Sequence, residues 1–411
     1  MEFDLIESQD HFLDLCQQLR DSDWMGFDTE FVSEDCYRPD LCLIQVATQK
    51  KLAIIDPLGL KDLQPFWDLL LDPKRKIVVH AGREETLFCY RATGQLIPNL
   101  FDIQIASGFV GLEYPASYAT LLQRLIGYKL DKGETRTDWR ARPLSGSQLE
   151  YAAEDVAHLD QLHRKLTHQL TEAGRLEWLA DEINQWLHKL VHQENQEQWH
   201  RLSGASSLSP RSNAILRELW VWRHRLAAQR NIPPRRLVRD DLLVELARRT
   251  SADPKRIANL RGMHHPGMKQ YVDPIARCIE RGLEAPEIRL SKPHRGRRDD
   301  VSGLVAQLLQ VALASLCRNK KIAPQLVATN EDLREWADYR LSEKRSSQGK
   351  NKNTASPSVE SLPRLLTGWR GEIFGTELDG LLHGNIGVFV RSLHSDNPLE
   401  LRHISQSQER T

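Results

Sequence analysis

The chain has 411 residues, more than one hydrophobic core organises, so two or three domains are expected. Its 40% hydrophobic and 27% charged content are those of a soluble globular protein. The net charge of zero conceals a division. Residues 1–200 hold 20 Lys+Arg against 33 Asp+Glu, net −13; residues 201–300 hold 22 against 11, net +11; residues 301–411 hold 14 against 12, net +2. An acidic module, suited to concentrating divalent metal, thus precedes a basic one suited to a phosphate backbone.

The acidic start, Met1–Asp10, carries no long apolar run and does not read as a signal peptide. No segment approaches the roughly 20 apolar residues that span a bilayer. A cytoplasmic location and no membrane partner are expected. The six cysteines form no Cys-x-x-Cys pair and are too sparse for a disulfide framework or a structural zinc site.

In chain order, 24–31, 41–47, 51–55 and 76–79 read as strands, with helical stretches at 11–18 and 63–71. The closeness of 41–47 and 51–55 predicts a hairpin, hence a mixed sheet. From about residue 103 the pattern turns helical. Residues 149–170 read as one amphipathic helix capped near Ser147, and 172–200 continue as helix. Residues 201–210 read as a flexible linker, 211–288 as all-helical, 291–300 as a basic linker, and 301–383 as helical again. The polar run 342–363 is expected to be disordered, and 386–390 is strand-like with no assigned role. A weak repeat relates 231–247 to 321–337, which predicts two related helical modules.

Three acidic pieces stand out. Asp28-Thr29-Glu30 lies in a strand pattern, where i and i+2 share a face; two carboxylates there repel unless a cation lies between them. His80-Ala-Gly-Arg-Glu-Glu85 follows the strand 76–79, near the carboxyl end of the sheet, where sites form in open α/β folds. Tyr151 and Asp155 stand one helical turn apart, so both point the same way. Each pattern alone is common and reads equally as a solvated strand end or an ordinary helix turn.

Joined in this order, the pieces resemble the ribonuclease D family of DEDD-type exonucleases. Phe27-Asp-Thr-Glu-Phe-Val32, Leu43-Ile-Gln-Val46, His80-Ala-Gly82, Phe101-Asp-Ile-Gln104, Leu130-Asp-Lys132, Thr137-Asp-Trp139, Arg142-Pro-Leu144 and Leu149–Val156 carry the likeness. It implies an α/β, ribonuclease H-like exonuclease domain over 1–195, with a mixed sheet flanked by helices. It also implies two divalent ions, Mg or Mn, held by Asp28, Glu30, Glu85 and Asp155, with Tyr151 holding the nucleophile. The family's middle acid is ordinarily Asp; Glu85 departs from that by one methylene, which leaves open an inactive relative that only binds RNA. Asp102 reads as a helix cap and His80 as a packed residue. Lys129, Lys132, Arg140 and Arg142 are candidate phosphate contacts.

Leu219-Trp-Val-Trp-Arg223, Asn231-Ile-Pro-Pro234 and Leu260-Arg-Gly262 resemble an HRDC domain over 209–289. That resemblance implies nucleic-acid binding through Arg235, Arg236, Arg239, Arg256 and Arg261, with Arg248, Arg249 and Lys255 nearby. Residues 301–395 resemble a divergent second all-α HRDC-like module, interrupted at 342–363. The resemblance implies a 3′→5′ exoribonuclease acting on RNA, with precursors of transfer RNA as the expected substrate and no obligatory protein partner. The alternative is a DNA exonuclease of the Werner type.

Overall fold

The computed structural model describes residues 2–130, 137–290, 300–348 and 362–404. Six strands form the first sheet: β1 (Asp4–Ile6), β2 (Trp24–Val32), β3 (Asp40–Ala47), β4 (Leu52–Ile55), β5 (Lys76–Val79) and β6 (Leu100–Asp102), in the order β1-β4-β3-β2-β5-β6. β2–β3 and β3–β4 pair antiparallel, while β1–β4, β2–β5 and β5–β6 pair parallel. The sheet is mixed, and the predicted hairpin is β3–β4. The two outer strands are too short to carry a period and were not foreseen.

Helices α1 (Gln9–Leu19), α2 (Gln64–Leu70), α3 (Arg83–Thr93), α4 (Ile103–Phe109), α5 (Tyr118–Ile126), α6 (Gly146–Ala157), α7 (Leu159–Glu172) and α8 (Leu176–Asn195) complete this part. α6 starts with a capping box, Ser145 with Gln148, which satisfies two orphan amides at its N-terminus. The single helix expected over 149–170 is two, broken at His158. No glycine or proline marks the break, and the buried series Val156, Leu159, Leu162, Leu166 runs through it, so local pattern could not show it.

The next module has its own core, built from Ile215, Leu219, Leu243, Leu246, Ile257, Ile275 and Ile279. It comprises α9 (Pro210–Arg230), α10 (Pro234–Leu237), α11 (Asp240–Arg249), α12 (Pro254–Ala258) and α13 (Val272–Glu284). Residues 201–210 are not a loose linker. They fold into short turns, and Trp199 and Ala205 are buried in this core.

The last module comprises α14 (Asp300–Lys320), α15 (Pro324–Val327), α16 (Asn330–Gln348), α17 (Gly368–Arg370) and α18 (Thr376–Leu382). The strand-like run becomes β7 (Ile386–Val390), paired antiparallel with β8 (Leu399–His403). The run 342–363 begins inside α16, not in a loop; residues 349–361, like the basic linker at 291–299, lie outside the described residues. α14 is long and apolar enough to cross a membrane by composition, which the hydropathy reading missed. Its Leu309, Ala312, Leu313, Leu316 and Cys317 are buried in protein instead, as in a core helix.

The two helical modules repeat one local geometry. A 21-residue helix ends at a left-handed residue, Asn231 (φ 47°) or Lys321 (φ 50°), followed by a four-residue helix and a further helix. Their tertiary settings differ. The last module shares one hydrophobic core with the exonuclease sheet: Leu313, Leu326, Trp336 and Trp369 join Phe109, Leu170 and Ile183. Trp369 stacks on Trp178 with centroids 6.1 Å apart, and the Ala323 amide donates to the Gly108 carbonyl at 2.8 Å.

Candidate active site

Asp28 and Glu30 stand on β2, opposite Gln45 and Leu43 of β3, so these four side chains share a face. α6 packs on that face: Ala152 and Ala153 cluster with Leu43, Ile54 and Trp139, and Tyr151 lies against them. Trp139 backs the Tyr151 ring at 6.2 Å. The tyrosine and Asp155, one turn on, are thereby aimed at β2.

Glu85 enters from the first turn of α3. The turn that delivers it is tightly built. Ala81 adopts φ 56°, and a Cβ on Gly82 would meet Val79 Cγ2 at 2.4 Å, so only glycine fits there. Asp102 pins this turn, accepting from the Ala81 and Gly82 amides while also capping α4 through the Gln104 and Ile105 amides. His80 Nε2 lies 3.0 Å from the Ala116 carbonyl, a packed residue whose pKa burial lowers.

The electrostatics bring the four acids together. Burial raises the Asp28 carboxyl well above the carboxylate range, and Glu85, Asp155 and Glu30 push it further. Glu30 rises to about 8 through burial, then Asp155 and Glu85. Glu85 and Asp155 rise to about 7, again mainly through burial. The Tyr151 phenol is raised too, by burial and then by Asp155, Glu30 and Asp28. Among the described residues no basic group acts on Glu30 or Asp155. Four crowded carboxyls, Glu85 buried and the other three part-buried, with no guanidinium among them in the described residues, fit divalent cations, whose charge would relieve the repulsion. Among the described residues no three such groups stand at metal-ligating spacing. Glu85 is turned aside, its Oε1 accepting from Thr29 Oγ1 at 2.5 Å.

Two neighbours escaped sequence reasoning. Thr29 lies between the two recognised acids, but its partner is 56 residues away. Gln45 is fully buried beside Asp28, and neither its amide nitrogen nor its oxygen has a hydrogen-bond partner. Its signal in the sequence was a glutamine inside an apolar strand, Leu43-Ile-Gln-Val46.

The expected phosphate contacts fare unequally. Arg142 is not available: its guanidinium grips both Asp56 oxygens and donates to the Trp139, Ala141 and Cys42 carbonyls. Arg140 is likewise committed to Asp35 and Asp40. Lys129 is exposed, and Lys132 lies outside the described residues. In the middle module Arg236 and Arg261 are exposed and make no close ion pair among the described residues, although Arg236 helps to lower the Asp35 pKa, whereas Arg235, Arg239 and Arg256 pair with Asp240, Asp241 and Asp253.

Comparison with known proteins agrees with this layout. Residues 3–171 match the family model of a 3′-5′ exonuclease, and residues 212–279 match that of the HRDC domain. The protein is therefore a 3′→5′ exonuclease domain followed by an HRDC domain. Ribonuclease D of Bartonella henselae is 34% identical, covering 90% of this chain and 88% of its own, and ribonuclease D of Cronobacter turicensis is 33% identical, covering 92% and 99%. The crystal structure of Escherichia coli RNase D, described as an exoribonuclease involved in structured RNA processing, superposes with TM-score 0.76 at 28% identity, covering 93% of this chain and 99% of that one. The chain belongs to the ribonuclease D family of 3′→5′ exoribonucleases.

Proposed function

We propose that Asp28, Glu30, Glu85 and Asp155 hold two divalent cations, magnesium or manganese, and that this site releases nucleoside 5′-monophosphates from the 3′ ends of RNA. The observation that carries the reading is the burial and crowding of these acids, which raise Asp28 well above the carboxylate range, Glu30 to about 8, and Glu85 and Asp155 to about 7. Bound cations activate water and stabilise the departing oxygen in such a site. Asp28 feels the other three carboxyls and takes the shared position. Glu30, Asp155 and Glu85, the last restrained by Thr29, would hold the cations together with Asp28. Tyr151 keeps its phenolic proton and orients the attacking water beside Asp155.

The substrate reading is structured RNA with a 3′ extension, such as a transfer-RNA precursor. It is supported by family membership and by Arg236 and Arg261, with Lys129, as exposed cations for phosphates. Arg235, Arg239 and Arg256 join them by exchanging a surface carboxylate for a phosphate, since exposed pairs are weak. We assign the last module as a second, divergent HRDC-like unit, and the protein to the cytoplasm.

The test is digestion of a 5′-labelled RNA bearing an unpaired 3′ extension. Stepwise shortening with magnesium or manganese is expected, with none in chelator and none with Asp28→Asn or Asp155→Asn. Undiminished digestion by the double variant overturns the assignment. Equal digestion of single-stranded DNA favours the Werner-type alternative, and inert pure protein favours an RNA-binding relative.

A further inference from the structure

A cleft of about 550 Å³ separates the exonuclease domain from the HRDC module. On the exonuclease side, besides the end of α8 with Gln193 and Glu194, two stretches tied to the site's acids line it. One is the loop after β2, with Tyr37 and Arg38. The other is α3, whose Arg91 reaches back along its helix to within 3.7 Å of Glu84, the neighbour of Glu85. The HRDC wall is Trp220 and the start of α10. The loop is fastened across the gap: the Tyr37 amide donates to Asn231 Oδ1 at 3.2 Å, and its hydroxyl lies 3.3 Å from His224 Nδ1.

The charge of this cleft is opposite to that of the domain that half builds it. Five arginines line it against two acids, Glu194 and Asp240, an excess of three positive charges among the lining residues beside a region of net −13, though Arg91 also pairs with Glu84 behind the wall. Each acid is shared by two arginines: Glu194 by Arg91 and Arg38, at 2.8 and 3.9 Å, and Asp240 by Arg223 and Arg235, both at 2.7 Å. Arg201 is exposed and makes no ion pair among the described residues. Among them stands one large ring. Trp220 is half-buried, one face covered by His224 at 3.7 Å and 23°. A positive groove with a ring in its wall is how single-stranded nucleic acid is held, through phosphate and base face together. The volume is that of a small-ligand pocket and excludes a duplex.

We propose that this cleft holds the unpaired 3′ segment of the RNA just before it reaches the acids, with Trp220 stacking on a base and Arg38 and Arg201 on the phosphates. The inference rests on the exoribonuclease reading. It assigns the HRDC module a part in the reaction itself: it supplies one wall of the substrate path and not only a remote anchor. It also gives the loop 33–39, between β2 and β3, a purpose, since its Tyr37 is fastened to His224 of α9 and to Asn231.

The test uses the full chain and two substrates, a dinucleotide too short to reach the cleft and an RNA with a twelve-nucleotide 3′ tail. Trp220→Ala and Arg201→Glu are expected to raise KM for the tailed RNA at least about tenfold more than for the dinucleotide, as loss of one stacked base or one phosphate contact requires. Arg277→Glu, an exposed arginine of the same module outside the cleft, is expected to change neither. Equal effects on both substrates, or an equal loss with Arg277→Glu, overturn the proposal. A second measurement does not depend on turnover: 4-thiouridine placed within the tail should photocrosslink to the Trp220 or Tyr37 region. Crosslinks confined to other surfaces also overturn it, even for an Arg201→Glu protein that folds normally. If the wild type cuts neither substrate, the exoribonuclease reading fails, while crosslinking still decides the cleft.

Discussion

The two helical modules repeat one local geometry in different tertiary settings. Position for position, Arg235, Arg236 and Arg239 in the first become Gln325, Leu326 and Thr329 in the second. Arg236 is exposed to solvent, while Leu326 is buried and lies against Gly108 of α4. Each module also buries one arginine. Arg223 donates to the Val238 carbonyl and to Asp240 of its own module. Arg370 donates to the Leu326 and Val327 carbonyls, but the residue matching Asp240 is Asn330, and its counter-ion is Glu182 of α8. Moving one carboxylate from the module to the nuclease turns a self-contained unit into part of the exonuclease core. One module leaves those three arginines at the surface, and the other buries Leu326 of the matching face against the exonuclease domain.

The largest effect should come from breaking that borrowed pair. Glu182→Ala leaves Arg370, Trp369 and Arg364 without their acceptor, and an orphaned buried guanidinium costs about 3–5 kcal/mol. Calorimetry should show the main transition falling by roughly ten degrees. Asp240→Ala should lower only the melting of the HRDC module, leaving that of the exonuclease core in place. A Glu182→Ala protein that melts like the wild type would refute the shared core.

Acidity should separate the same two regions. Glu30, Glu85 and Asp155 hold protons more tightly folded than unfolded, since their pKa values rise from 4.5, 4.5 and 3.8 to about 8, 7 and 7. A raised carboxyl contributes stability that is full below the unfolded pKa and is lost as pH rises through the folded one. Metal-free exonuclease core should therefore melt several degrees lower at pH 8.5 than at pH 5, and manganese should restore most of the loss at the higher pH. The HRDC module has no such cluster and should not follow. Metal-free melting that is flat or rises over this range would contradict the convergence of the acids.

What the sequence made legible was whatever repeats locally. The four longer sheet strands, the repeat relating 231–247 to 321–337 and the acids of the site all show as short patterns. The pairings that give them meaning are distant: Thr29 with Glu85 over 56 residues, Arg142 with Asp56 over 86, and Arg370 with Glu182 over 188. Arg142 looked like a substrate ligand because charge was visible and its acceptors were not. The same holds for residues 201–210, whose serines and glycine suggested a loose tether although Ala205 is a core residue.

Gln45 offers a smaller effect with an opposing pair of signs. A buried amide with neither donor nor acceptor satisfied lowers stability by about 1–3 kcal/mol. Gln45→Leu should raise the melting temperature by a few degrees. If the amide instead finds its partner in water or substrate beside Asp28, the same variant should lower kcat with KM little changed. Greater stability with full activity would make Gln45 a packing residue only.

The smallest effect distinguishes the modules by salt. Arg236 is exposed and makes no close ion pair among the described residues, so its removal should alter stability by less than about 0.5 kcal/mol. As a phosphate contact it should instead flatten the dependence of log KM on log salt by about one unit, without a change of sequence preference. Gln325→Ala, one position before the matching residue of the last module, has no charge to lose and should leave the slope alone. An unchanged slope for Arg236→Ala would mean that the net +11 of residues 201–300 serves solubility, and that the contrast between the modules is one of packing and not of substrate binding.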